Sequence, residues 1–107
     1  MLLNKPTKKG DIVTVKLSTG EELVARFEHQ DTDKLKLVKP SVLTLNPQNG
    51  GAMLIPWLMS IDVHDPEPVT VYASQIVAMS RPQKGLADAY IQNTTGIQTA
   101  PSDLKLS

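Results

Sequence analysis

Cysteine is absent from the 107-residue sequence, which excludes disulfide staples and thiolate chemistry. Net charge is absent too, because eleven Lys plus Arg balance eleven Asp plus Glu. No whole-chain field draws the protein onto nucleic acid or an anionic membrane, and any nucleic-acid binding must be local. Long apolar runs are also missing. The longest nearly apolar stretch, Ala52 to Ile61, holds Pro56 and is about half of the ~20 residues that span a bilayer. The opening MLLNKPTKK lacks the apolar centre of a signal peptide, so the expectation is a soluble, cytoplasmic protein with no membrane partner. There is no Gly-rich phosphate loop, no nucleophile with a spaced His and acid partner, and no cofactor motif. Neither catalysis nor a cofactor is expected. Without internal repeats or low-complexity tracts, the chain reads as one small domain with appendages.

What is present is period-two alternation, the mark of strands buried on one face. Val13, Val15 and Leu17 alternate with Ile12, Thr14 and Lys16; after a Ser18-Thr19-Gly20 turn, Leu23, Ala25 and Phe27 alternate with Glu22, Val24, Arg26 and Glu28. This pattern predicts a hairpin. A turn around His29 to Asp33 leads into a long third strand from about Lys34 to Leu45, with Leu35 and Leu37 in phase with Leu43 and Leu45. Pro40 interrupts it and requires a bulge or a sheet edge there, because proline donates no ladder hydrogen bond.

The segment after the turn formers NPQNGG, AMLIPWLMSI, is apolar at nearly every position. Both its faces want burial, and a subunit contact, a partner surface or a fold back onto its own barrel would each supply it. An acidic, proline-spaced turn, DVHDPEP, closes this insertion. Asp62, His64, Asp65 and Glu67 in it fit an exposed turn better than a metal site, so no metal is expected. In the last strand region Val69 and Val71 share a face, but Ile76 falls out of phase, which requires a tight turn near Ala73 to Gln75. Beyond Arg81-Pro82 the chain reads as a tail with one short helix-compatible piece, Leu86 to Ile91, packed against a neighbour. The expected organisation is a basic arm over 1–9, a domain over 10–82 with an inserted loop over 46–68, and a C-terminal tail over 83–107.

These elements predict an all-β fold: a small five-stranded, strongly bent antiparallel barrel with an enlarged loop. Residues 15–37, VKLSTGEELVARFEHQDTDKLKL, resemble the first signature of the Sm-like family, which covers the eukaryotic Sm and LSm proteins and bacterial Hfq. Val15, Leu17, Gly20, Leu23, Ala25, Phe27, Asp31, Leu35 and Leu37 carry the likeness. Residues 71–82, VYASQIVAMSRP, resemble its second signature through Val71, Tyr72, Ile76, Met79 and the closing Ser80-Arg81-Pro82. The phase break at Ala73 to Gln75 is where that family turns from its fourth strand to its fifth. Short signatures on an elaborated core resemble phage-encoded or environmental members more than Hfq itself.

The resemblance implies a homo-oligomeric ring that binds single-stranded, U-rich RNA without catalysis, as a chaperone or regulator of transcripts. It places the contacts at Asp31 and Lys34 in one loop and at Tyr72 and Ser74 in the next turn. The departures are specific. Aromatics make up 4% of the chain, and the flat side chain expected two residues after Asp31 is the acid Asp33. The basic pair expected after Tyr72 is Ala73 and Ser74. Without that platform and those cations, binding of uridine in the inner pore is expected to be weak.

Plainer roles stand beside each of these. Lys34, Lys36 and Lys39 form a basic strip that also suits a solvated strand face, and Tyr72 also suits packing against the next subunit. Lys5, Lys8 and Lys9 can touch phosphates or simply form a flexible start, and His29 fits a surface turn better than a catalyst. Trp57, Leu58, Met59 and Val71 are the expected subunit or partner interface. The alternative function is a ring-shaped scaffold that has lost RNA binding and uses the Trp57 insertion to recruit a protein.

Overall fold

The structure, a computed structural model, describes residues 6–62 and 64–95. Its order is β1 (Ile12–Leu17), β2 (Glu22–Gln30), β3 (Lys34–Leu45), β4 (Ala52–Pro56), β5 (Val69–Tyr72), a 3-10 turn at Ala73–Gln75, β6 (Ile76–Ser80) and α1 (Lys84–Thr95). All strand pairs are antiparallel. The main path runs β4-β3-β2-β1-β6, and β5 pairs with β3.

The first hairpin forms as its alternation requires. Its three-residue loop closes with the Gly20 N–H donating to Leu17 O at 2.9 Å, and Gly20 sits at φ 100°, a left-handed conformation that glycine takes without penalty. Val13, Val15, Leu17, Leu23, Ala25, Phe27, Leu35, Leu37 and Val71 make one buried cluster on the inner face. Each of the larger members contributes on the order of 1.5–3 kcal/mol by leaving water.

The third strand carries the bulge that Pro40 demands. Ala25 stands opposite a two-residue step in β3, because the pairs Val24↔Ser41 and Arg26↔Val38 flank it. Lys39 occupies that step at φ 51°, unusual for a side chain with a Cβ. The step shifts the alternation by one residue. Leu35 and Leu37 point inward as expected, but beyond the bulge Val42 packs on the core, while Leu43 is half-buried and Leu45 is exposed. The expected phase between Leu37 and Leu43 is therefore corrected.

The insertion supplies a sixth strand rather than a loop alone. β4 pairs with the second half of β3 from Ser41↔Pro56 to Leu45↔Ala52, while β5 pairs with the first half from Lys34↔Tyr72 to Leu37↔Val69. The 3-10 turn at Ala73–Gln75 stands where the phase break required one, and it carries the chain from β5 on β3 to β6 on β1. The sheet curls but does not close into a barrel: among the described residues no ladder joins β6 to β5 or β4.

The expected tail begins as a packed helix. Tyr90 of α1 is fully buried, and its hydroxyl lies 2.9 Å from both Val38 O and Lys39 O. The Lys39 ammonium donates to Thr94 O at 2.7 Å, placing a cation on the open carbonyls of the helix C-terminus. With Val24, Pro40 and Ser41 also buried, the outer face of the sheet gains a small second core at the bulge. Residues 96–107, the rest of the expected tail, lie outside the described residues, as does Lys5 of the basic arm. No helix among the described residues is long and apolar enough to cross a membrane.

Candidate nucleic-acid interface

The loop that enters β3 and the strand that leads into the 3-10 turn meet at one end of the sheet. Lys34 and Tyr72 are directly opposed across the β3–β5 ladder, and the Ala73 N–H donates to Asp33 O at 2.9 Å. Thus three of the four expected RNA-contacting residues, Asp31, Lys34 and Tyr72, are brought together. Ser74 follows two residues after Tyr72, exposed in the 3-10 turn.

Asp31 builds this loop. Its Oδ1 accepts the N–H groups of Asp33 at 3.2 Å and Lys34 at 3.0 Å, and its own N–H donates to Lys34 O at 3.0 Å. Its Oδ2 faces His29 Nε2 at 3.8 Å. Side-chain hydrogen bonding with Asp33, then the Asp33 and Lys34 N–H groups, hold the Asp31 carboxyl below its ordinary value. The carboxylate is spent on fixing the turn, a structural duty rather than a contact with phosphate.

The other side chains on this face are open. Tyr72 is 58% exposed, far above what a packed aromatic leaves to solvent. Lys34 and Lys36 are exposed while Leu35 and Leu37 between them are buried, so both lysines project from one outer face. In the next row across the sheet, Lys36 pairs with His29 on one side and Thr70 on the other, and both partners are exposed. Neither Lys34 nor Lys36 forms an ion pair among the described residues. The sequence shows the alternation of the lysines, but the registers that add His29 and Thr70 link strands far apart in the chain.

Two expectations for charge need correction. Lys39 does not continue the strip, because its left-handed backbone turns it to the C-terminus of α1. Lys9 pairs with Glu28 at 3.4 Å, and the Lys8 N–H donates to Asp11 Oδ2 at 2.9 Å, so this part of the basic arm lies against the domain. Arg81 reaches the same place, with Nη2 3.3 Å from both Pro6 O and Asp11 Oδ2.

The expected interface residues are dispersed. Val71 is 4% exposed in the core, so its side chain is withdrawn and only its main chain is open to a partner. Trp57 is half-buried against the same core, its backbone N–H donating to Pro40 O at 2.9 Å. Leu58 lines a cleft of about 230 Å³ between the insertion and α1, with Pro40, Pro56, Ile61 and Thr94. Met59 alone of the four stands free, at 83% exposure. In the acidic turn, the His64 N–H donates to Asp62 Oδ1 at 2.9 Å. No cluster of three or more metal-ligating side chains occurs among the described residues. No protein-family model and no curated protein matches the chain.

Proposed function

We propose that this protein is a non-catalytic, Sm-like RNA-binding module that assembles into a homo-oligomeric ring and acts in the cytoplasm as an RNA chaperone or post-transcriptional regulator. The observation that carries this reading is the exposed Lys34–Tyr72 pair, which sets a cation beside an open aromatic face at a sheet end. Single-stranded nucleic acid is held by that combination of stacking and phosphate attraction. The strand order supports the same reading, since a 3-10 turn passes the chain from β3's edge to β1's edge at the place the Sm-like resemblance implies. Both β5 and β6 keep one unpaired edge among the described residues. Pairing β5 of one copy with β6 of the next is a head-to-tail contact that closes a ring and covers both edges. Val71 then contributes main chain only.

The test is binding of oligo-U, oligo-A and a mixed RNA at two salt concentrations, on a sample whose mass is fixed by light scattering. Submicromolar binding by an oligomer, weakening with salt, is the expected result. An oligomer without RNA affinity at low salt would favour the scaffold. For that second reading the relevant observation is the exposure of Met59, Ile55 and Leu45 around the β3–β4 hairpin, with Trp57 turned inward.

A further inference from the structure

We infer that single-stranded RNA runs along the outer face of β3, its phosphates over Lys34 and Lys36 and one base stacked on Tyr72, rather than into the acidic loop at Asp31–Asp33. This inference rests on the RNA-binding reading and assigns the route within it. The loop itself carries two acids, Asp31 and Asp33, and no aromatic. Phosphates are repelled there. One residue further, the sign reverses: Lys34 and Lys36 stand two positions apart on one face of a strand, separated by about 6.7 Å of chain. Neither forms an ion pair among the described residues, although the Lys34 charge is felt at Asp31. The row His29–Lys36–Thr70 extends the same face with groups able to hydrogen-bond phosphate or sugar.

Base recognition follows from what flanks the tyrosine. Tyr72 offers a ring face, while its ladder partner is a lysine and its chain neighbour is Ala73, which has no side-chain donor or acceptor. Stacking without edge readout tolerates any base. The site therefore takes single strands with little preference between U and A, and its affinity comes from stacking plus about two phosphate contacts.

The experiment uses the full chain and fluorescent oligo-U and oligo-A of equal length, titrated between about 50 and 200 mM salt. Lys36→Ala is the deciding variant, because the loop-centred reading assigns that residue nothing. It is expected to weaken binding about fivefold and to reduce the salt slope by about 0.7, the share of one phosphate on a single strand. Tyr72→Ala should cost about tenfold or more for both oligomers, and Tyr72→Phe should restore most of it, since the ring rather than the hydroxyl does the stacking. Lys84→Ala, which lies outside the Lys34–Lys36 row and is paired with Asp88, should change neither quantity.

If wild type binds RNA and Lys36→Ala leaves slope and affinity unchanged, the route is overturned while the RNA-binding reading stands. Dissociation of Tyr72→Ala into monomers would place the ring at the subunit contact and overturn the stacking. Preference for oligo-U above about tenfold would overturn the base-tolerant site. No binding by wild type at low salt removes the reading and the route with it.

Discussion

The two halves of β3 lie in one strand and obey different rules. From Lys34 to Leu37 the strand pairs with β5 and alternates between exposed lysines and buried leucines. From Ser41 to Leu45 it pairs with β4, Val42 packs on the core, and Leu43 meets Leu54 on the opposite face. One half has a wet face and therefore a period of two; the other is flanked by apolar neighbours on both faces and loses it. Between them, Lys39 and Pro40 form the bulge that rotates the strand's faces, held from outside by Tyr90 and Thr94 of α1. A single extra residue thus separates a surface suited to a charged ligand from one suited to packing.

Truncation on the two sides of the bulge is the sharpest contrast. Leu35→Ala, at a fully buried position, is expected to cost about 2–5 kcal/mol in urea denaturation, whereas Leu43→Ala, half-buried, should cost about 1 kcal/mol. Equal losses would mean that the second half is as tightly packed as the first.

The bulge can be loosened from its outer side. Tyr90→Phe removes the hydroxyl from Val38 O and Lys39 O and is expected to lower stability by about 1–3 kcal/mol. Burial also pushes the Tyr90 phenol up to about 12. A phenol that holds its proton more tightly when folded stabilises the protein fully below its ordinary value near 10. That contribution is lost as pH rises through about 12, because the unfolded chain releases the proton first. Alkaline melting curves should therefore fall above pH ~10 in wild type and fall less in Tyr90→Phe.

A smaller effect separates the strain at Lys39 from its hydrogen bond. Lys39→Ala loses the bond to Thr94 O and keeps the left-handed backbone, so it should melt earlier than wild type. Lys39→Gly loses the same bond but accepts φ 51° and should recover about 1 kcal/mol relative to alanine. If alanine is the more stable of the two, the backbone at this position is not held left-handed.

The smallest signal belongs to the first half. With its carboxyl held low, chiefly by Asp33, Asp31 secures the loop above the ordinary carboxylate range and releases it only as pH falls through the lowered value. The amide shifts of Asp33 and Lys34 should report a midpoint below that of a free aspartate. A midpoint at or above the free value would mean that the carboxylate does not hold the turn.

Much of the meander was legible in the residues. The alternation around Val13, Val15, Leu17, Leu23, Ala25 and Phe27 gave the hairpin, because hairpin register follows from local turn chemistry and a two-residue period. The third strand's span and the turn at Ala73–Gln75 were legible for the same reason. The fourth strand was not, and of the helix only the central piece, Leu86 to Ile91, was. Apolar residues on both faces of AMLIPWLMSI fit a strand, a buried helix segment or an interface equally well, and in the helix of 12 residues Tyr90 alone is buried, so its ends carry little apolar signal. The candidate site was half legible: Asp31, Lys34 and Tyr72 came from short signatures, while His29 and Thr70 join them only through cross-strand registers.

By itself the sequence determined the period of the first hairpin and of the first half of β3, the places where the chain had to turn, and the neutrality that confines any nucleic-acid contact to a local patch. Those properties depend on neighbours within a few positions, where backbone geometry alone sets direction. Tertiary structure decided which strand lies beside which, that β3 has a different neighbour on each half, and that Val71 belongs to the core while Tyr72 faces solvent. It also turned Lys39 from the basic face to the end of α1. Such outcomes depend on contacts between residues tens of positions apart, and a one-residue bulge held by a distant helix reverses the faces that local periodicity assigns.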